Sequence, residues 1–131
     1  MSFFTEVNNL IKEFYKNISN VFGFVFVRVY LGVLFVLNLL SWIFVYIFFT
    51  KVSQSLIVLH YNVDFGVDLI GDVKKIFIIP ALGLFVLFFN FALIFVFPKN
   101  ENFEFIIHLL LGAALIVNLF DYFFIRITEK F

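Results

Sequence analysis

The sequence predicts an all-α integral membrane protein. Three transmembrane helices follow an amphipathic interfacial helix, and a short β-hairpin loop lies between spans one and two. Of the 131 residues, 64% are hydrophobic and only 14% are charged, whereas soluble domains are about half apolar and about a quarter charged. Three apolar runs are each long enough to cross a bilayer, which takes about 20 residues. We therefore treat residues 1–131 as a single membrane domain.

Composition also excludes several kinds of partner. The formal net charge is zero, which argues against binding nucleic acid. Cysteine is absent, so disulfides, thiolate metal sites and a cysteine nucleophile are excluded. Phenylalanine occurs 24 times, and we interpret it as lipid-facing apolar surface. The lipid bilayer is the predicted partner, and no cofactor is predicted.

Residues 2–21 have apolar side chains at three- and four-residue steps with charged residues and asparagines between them, which predicts an amphipathic helix. Beside a span, such a helix lies in the membrane interface. The alternative is that it docks a partner protein. The charged segment is too long for a signal peptide, so the first span is expected to be an uncleaved anchor.

The spans are predicted at 27–49, 75–97 and 105–127. Pro80 lies near the start of the second span, where its missing backbone donor costs least, and Pro98 is expected to end that span.

Small and polar residues inside the spans are candidates for helix–helix packing. Gly83 and Asn90 are seven residues apart and share one helix face. Asn38 lies at a depth similar to Asn90, so we expect a hydrogen bond between them, with Gly112 letting span three come close. Asn118 lies near one side of span three. Interhelical packing is favoured over a proton or ion relay, because none of these residues is ionisable.

Asp121 is the residue with the highest free-energy cost of insertion into the membrane, because it is a carboxylate about six residues inside the end of span three. A carboxylate there needs a partner, and Arg126, Lys51, Lys74 or Lys75 is within reach. An ion pair that fixes the helix end is one interpretation. A site for a proton or a cation is the other.

The extramembrane segment 51–74 combines β-branched residues with turn-forming residues, which predicts one or two short strands closing on a tight turn. Its polar and glycine residues form a predicted recognition surface: His60, Asn62, Asp64, Gly66, Asp68 and Gly71. Three Asp at four-residue spacing resemble metal ligands, but the calcium-loop pattern is not met, so no metal is predicted.

Catalytic motifs are not found in the sequence, which has no phosphate-binding glycine loop, no GxSxG and no HExxH. No catalytic residue is predicted, and the protein is not expected to be an enzyme. A site built on His60 and the loop carboxylates stays open as a hypothesis.

The orientation of the chain in the membrane is predicted from the positions of its Lys and Arg residues. The amino-terminal side carries four Lys or Arg against five on the other side, but Lys12, Lys16 and Arg28 flank the first span, which usually dominates. We expect a cytoplasmic amino terminus, with the two chain ends on opposite sides.

The run LHYNVDFGVDLIG from Leu59, followed by KIFIIPALGLFVLFFNFAL, resembles a group of small bacterial multi-span membrane proteins of unassigned function. More distantly, it is similar to the domain of unknown function in the immunity protein of the sporulation-delaying toxin. The shared positions are His60, Asn62, Gly66, Asp68, Gly71, Pro80, Gly83 and Asn90. The resemblance implies a bacterial inner-membrane location. It departs from the distant family in lacking a Pro within 54–57.

These observations predict an accessory, assembly or scaffold subunit of a membrane complex or homo-oligomer, held to a protein partner or to itself through the spans. The alternative is a small transport or toxin-immunity component in which Asp121 titrates.

Overall fold

A computed structural model describes residues 2–52, 56–62, 66–97 and 99–128, with side chains for 2–52, 72–97 and 99–128. The elements in chain order are α1 Phe3–Gly23, α2 Val25–Lys51, β1 Leu56–Asn62, β2 Gly66–Asp72, a 3₁₀ turn Val73–Phe77, α3 Ile78–Ile94 and α4 Phe103–Thr128. The predicted fold class is confirmed: a first helix precedes three long apolar helices.

The break between α1 and α2 is a single residue, Phe24, whose backbone is extended (φ −71°, ψ 121°). Its amide donates to the carbonyl of Val21 at 3.3 Å. Since both helices run up to this residue, α1 ends two residues later and α2 begins two residues earlier than predicted.

Strands β1 and β2 form an antiparallel pair between α2 and α3. The pairing runs from Leu56 opposite Asp72 to Asn62 opposite Gly66, with an irregularity between Val58 and Tyr61. The prediction was one or two short strands within 51–74, and the structure has two. The carboxylate of Asp72 then accepts a bond of 2.8 Å from the amide of Lys74 and caps the 3₁₀ turn that leads into α3.

Helix α3 ends at Ile94, so the prediction that span two continues to residue 97 is wrong. The amides of Phe95 and Val96 bond to the carbonyls three residues back, at 3.1 and 3.0 Å, and this tightening closes the helix. Pro98, predicted to end the span, lies outside the described residues.

Helix α4 packs along both α2 and α3, and the buried apolar side chains form two clusters. The first occupies the end of the bundle near α1 and is formed by Val21, Val27, Leu34, Leu87, Ile94, Phe103, Ile107, Leu111 and Ala114. The second lies near the hairpin and is formed by Val45, Phe48, Val73, Ile76 and Ile125. Polar residues separate the two clusters.

Three helical segments are long and apolar enough to cross a membrane: Val25–Lys51, Val73–Ile94 and Phe103–Thr128. Their outward faces are rich in phenylalanine, with Phe35, Phe85, Phe88, Phe89, Phe120 and Phe123 all exposed. Large apolar side chains on an outer surface are stable in lipid and costly in water. The chain is therefore a membrane-embedded helical protein.

Helix α1 is attached to the bundle by its second half. Val21 is buried, and the Phe14 and Phe95 ring centroids lie 6.1 Å apart. Beside them, the ammonium of Lys99 donates to Oδ1 of Asn17 at 2.7 Å. The apolar stripe of the first half stays uncovered, with Phe3 74% exposed.

Candidate functional site

The candidate site is the polar layer, which we define as Asn38 on α2, Pro80 and Gly83 on α3, and Asn118 and Asp121 on α4. It lies between the two apolar clusters. Asn38 is the middle residue of the 27 in α2, and Gly83 is the eleventh of the 22 in the second span. The layer therefore lies near the middle of the membrane-spanning bundle.

Asn38 connects the three spans. Its Nδ2 donates to the carbonyl oxygen of Pro80 at 2.9 Å and to Oδ1 of Asn118 at 3.2 Å. Its Oδ1 accepts a bond of 3.1 Å from the indole Nε1 of Trp42, one turn further along α2. Both amide hydrogens and the amide oxygen of Asn38 are thus used inside the chain.

Asn118 ties α4 to α3 in the same layer. Its Nδ2 donates to the carbonyl of Gly83 at 3.2 Å and to the carbonyl of Ala114 at 3.0 Å. Asn38 and Asn118 are only 4% and 1% exposed, and their amide groups are satisfied. Buried amides with every group bonded hold helices together.

Gly83 is where α3 and α4 come closest within this layer. A Cβ at this position would lie 2.6 Å from Oδ2 of Asp121, 2.8 Å from Oδ1 of Asn118 and 3.2 Å from Nδ2 of Asn38. The missing side chain leaves the space that the amides and the carboxylate occupy. Small residues allow such close helix contact in membranes.

Asp121 is the exception in this layer. Its Oδ2 is buried and has no hydrogen-bond partner among the described residues. It lies against Gly83 because side chains on a helix lean towards the amino-terminal end of that helix. The carboxylate is thus nearer the middle of the bundle than its position six residues inside the helix end suggested. The residue as a whole is only partly buried.

The predicted pairing of Asp121 with Arg126 is not formed within the described part of the chain. The guanidinium carbon of Arg126 instead lies 4.7 Å from the ring centroid of Phe44, on α2. Because the two positions are five residues apart, Arg126 is on the α4 edge that meets α2, while Asp121 is on the edge that meets α3.

The predicted hydrogen bond between Asn38 and Asn90 is wrong. Asn90 donates from Nδ2 to the carbonyl of Leu110 at 3.1 Å and so joins α3 to α4. Gly83 and Asn90 do share a face of α3, but Asn90 meets α4, and only Gly83 also lies close to Asn38 of α2. Asn38 bonds with Asn118 instead, because α4 lies against both other spans.

The close approach predicted at Gly112 is also wrong. A Cβ there would meet nothing within 4 Å, so this glycine lies in open space on α4. The small residue of α4 that is buried near the layer is Ala114, two positions further along. Sequence spacing identifies which residues share a face but not which way the helix is rotated.

For the predicted recognition surface, the structure describes the backbone of the two strands. His60 and Asn62 belong to the backbone of β1, and Gly66, Asp68 and Gly71 belong to β2. Their side chains, and Asp64 entirely, lie outside the described residues. This surface stays a prediction.

Sequence reasoning missed Trp42 and the carbonyl of Pro80 as members of the network. Trp42 follows Asn38 by four residues, the spacing at which side chains on one helix meet. That spacing was a usable signal for Trp42. Nothing in the sequence marks a particular carbonyl as an acceptor.

A second polar contact lies at the α1 end of the bundle, where the ring of His108 stacks on Phe26 at 4.2 Å between centroids. Its Nδ1 is 3.4 Å from the hydroxyl of Tyr30. An open apolar groove of about 500 Å³ adjoins it, lined by Val25, Phe26, Val29, Tyr30, Val33 and Leu115. Both features are on the outer surface, where lipid acyl chains pack.

Comparison with known proteins adds no assignment, since no protein family model, no curated protein and no solved structure matches this chain. The resemblance to small bacterial membrane proteins therefore stays a prediction. Function has to be argued from the polar layer.

Proposed function

We propose that this protein is a non-enzymatic accessory, assembly or scaffold subunit of a membrane complex or homo-oligomer. The observation that carries the proposal is the buried Oδ2 of Asp121, which has no hydrogen-bond partner among the described residues. A carboxylate at this depth is costly in lipid unless something pairs with it. Assembly with another chain supplies that pairing.

The rest of the polar layer supports a structural role. The side-chain amides of Asn38 and Asn118 bond to each other and to the carbonyls of Pro80 and Gly83. A site that turns over a substrate needs polar groups free to bind it, and these amides are fully used. Their arrangement favours helix association over catalysis.

The outer surface of the spans also supports assembly. Only 28%, 22% and 28% of the residues in the apolar centres of the three spans are buried within the chain, so most of each helix faces outward. Lipid covers the exposed phenylalanines at no cost, but it does not solvate the carboxylate of Asp121.

The test is gentle solubilisation of native membranes, followed by native mass spectrometry of the purified protein. We expect a stoichiometric partner or a homo-oligomer, and we expect Asp121→Asn to reduce the assembled fraction. Glu104→Gln is the matched control, because Glu104 lies in the first turn of α4. A monomer that carries no other chain would contradict the proposal.

The second candidate is a small transport or toxin-immunity component in which Asp121 titrates. It is favoured by the same buried oxygen, since an unpaired carboxylate is also where a proton or cation binds. Proton flux into vesicles holding the purified protein, measured with a trapped pH dye, separates the two. Flux lost in Asp121→Asn and kept in Glu104→Gln would support this candidate.

We further propose that the protein lies in the bacterial inner membrane with its amino terminus in the cytoplasm. The support is the positive charge of Lys12, Lys16 and Arg28 beside the first span. Reporter fusions at each chain end test it: a fluorescent protein folds in the cytoplasm, and alkaline phosphatase is active outside. The opposite pattern would reverse the orientation.

A further inference from the structure

The charged residues of the three spans are concentrated near the helix ends, with one exception. Among the Lys, Arg, Asp and Glu residues of the three helical segments, all except Asp121 lie near a helix end: Arg28, Lys51, Lys74, Lys75, Glu104 and Arg126. Only Asp121 reaches the middle layer, beside Gly83. The part of the chain that the structure describes therefore has an acidic group at mid-depth and no basic group there.

We infer that Asp121 is the docking point for a partner transmembrane helix that carries a lysine or arginine near its middle. This inference rests on the proposed function and names the chemistry of the partner. The partner is a different protein, because the described residues of a second copy include no Lys or Arg at that depth in either orientation.

Charge complementarity is the first argument. An ammonium or guanidinium group in lipid is as costly as a carboxylate, and each removes most of the cost of the other when they pair. Asparagine, serine or tyrosine on a partner would give a hydrogen bond but would leave the carboxylate charge unneutralised. A basic residue satisfies both needs.

Accessibility is the second argument. Oδ2 of Asp121 is buried against Gly83, but the residue as a whole is only partly buried. Part of the side chain is therefore exposed. Oδ2 itself is covered where Gly83 of α3 packs against it, so a partner helix approaches Asp121 from the exposed part of the side chain.

The experiment uses the purified protein in phosphatidylcholine vesicles and synthetic polyleucine transmembrane peptides. One peptide has a lysine at its centre, a second has leucine there, and a third has the lysine moved to its end. Trp42 is the one tryptophan and lies beside the layer, so energy transfer from it to a dansyl group on each peptide measures binding.

We expect the central-lysine peptide to bind about tenfold more tightly than the leucine peptide, within the range of one interhelical polar contact. Asp121→Asn should reduce its affinity to that of the leucine peptide, Asp121→Glu should keep part of the preference, and Glu104→Gln should leave it unchanged. The inference is overturned if wild-type protein binds the central-lysine peptide no better than the end-lysine or leucine peptide, a comparison that needs no variant to fold.

The two proposals fail separately. A native partner that co-purifies without any preference for the central-lysine peptide overturns the inference and leaves the subunit role standing. A monomer with no co-purifying chain overturns the subunit role itself, whatever the peptides do.

Discussion

Replacing Gly83 by alanine adds one methyl group at the most crowded point of the polar layer. That methyl would lie 2.6 Å from the carboxylate oxygen of Asp121 and 2.8 Å from the amide oxygen of Asn118. Neither distance is tolerable for a carbon atom, so α3 and α4 must move apart or the two side chains must rotate. Separation of the helices or rotation of Asn118 strains the hydrogen bond from Asn118 to the carbonyl of residue 83.

The magnitude follows from the bonds that meet at this position. Three of them cross between helices: Asn118 to Gly83, Asn38 to Asn118 and Asn38 to Pro80. At about 0.6 kcal/mol each in a membrane, they contribute about 2 kcal/mol. Overpacking costs about 1–3 kcal/mol more, and the helix propensity of alanine returns about 1 kcal/mol. We expect a net loss of about 2–4 kcal/mol in the free energy of unfolding.

The assay is unfolding in mixed micelles with increasing sodium dodecyl sulfate, followed by the emission of Trp42. This indole donates to Oδ1 of Asn38, so its emission reports on the layer. Gly112→Ala and Gly32→Ala are matched controls, because an added Cβ at either position meets nothing within 4 Å. They should leave stability unchanged or raise it by up to about 1 kcal/mol.

The reasoning is refuted if Gly83→Ala unfolds at the same detergent fraction as Gly112→Ala. Helical content from circular dichroism shows whether each variant starts from the same folded state. A Gly83→Ala variant that is as stable as wild type would mean that α3 and α4 are not in close contact in the membrane.

Three further predictions concern stability and membrane contact. Asn38→Leu should lower the free energy of unfolding by about 2 kcal/mol and Asn90→Leu by about 0.6 kcal/mol. The difference is expected because the side chain of Asn38 makes three hydrogen bonds and that of Asn90 makes one. Equal losses would contradict this reasoning. In the isolated protein, Asp121→Asn should not lower the free energy of unfolding measured in micelles, because the substitution removes a buried charge whose Oδ2 lacks a donor among the described residues. A clear loss of stability would argue that the carboxylate stabilises the fold. Phe14→Glu should free α1 from the bundle end, since its ring packs near Phe95, and faster proteolysis of the amino-terminal segment in vesicles would show it.

The larger elements were predictable because each depends on local composition. Apolar runs of sufficient length form spanning helices whatever they pack against, and an apolar stripe at helical spacing predicts α1. The bounds moved by a few residues, as at Ile94, where the closing 3₁₀ bonds depend on backbone geometry. The choice of Asn38, Gly83 and Asn118 as packing residues also needed only the sequence, because small and polar residues in spans are rare and costly.

The partners of those residues were not predictable. Asn38 was expected to bond with Asn90 and bonds with Asn118, and Gly112 was expected to let span three come close but has nothing within 4 Å of an added Cβ. Depth along each span can be counted from the sequence, but rotation of each helix about its axis and the order of the helices cannot. A rotation of one residue, about 100°, changes which neighbour a side chain faces.

The sequence by itself determined that this chain lies in a membrane, how many spans it has and which residues are polar within them, because length and hydropathy decide partition into lipid. Only the tertiary structure decided that α4 packs against both other spans and that Asn38 donates a hydrogen bond to Asn118. It also decided that Oδ2 of Asp121 lies against Gly83 with no hydrogen-bond partner among the described residues. The physical reason is that hydrogen bonds and van der Waals contacts depend on distances of a few ångström between residues that are far apart in the sequence, by 80 and 82 positions in two of the hydrogen bonds. No local pattern encodes those distances.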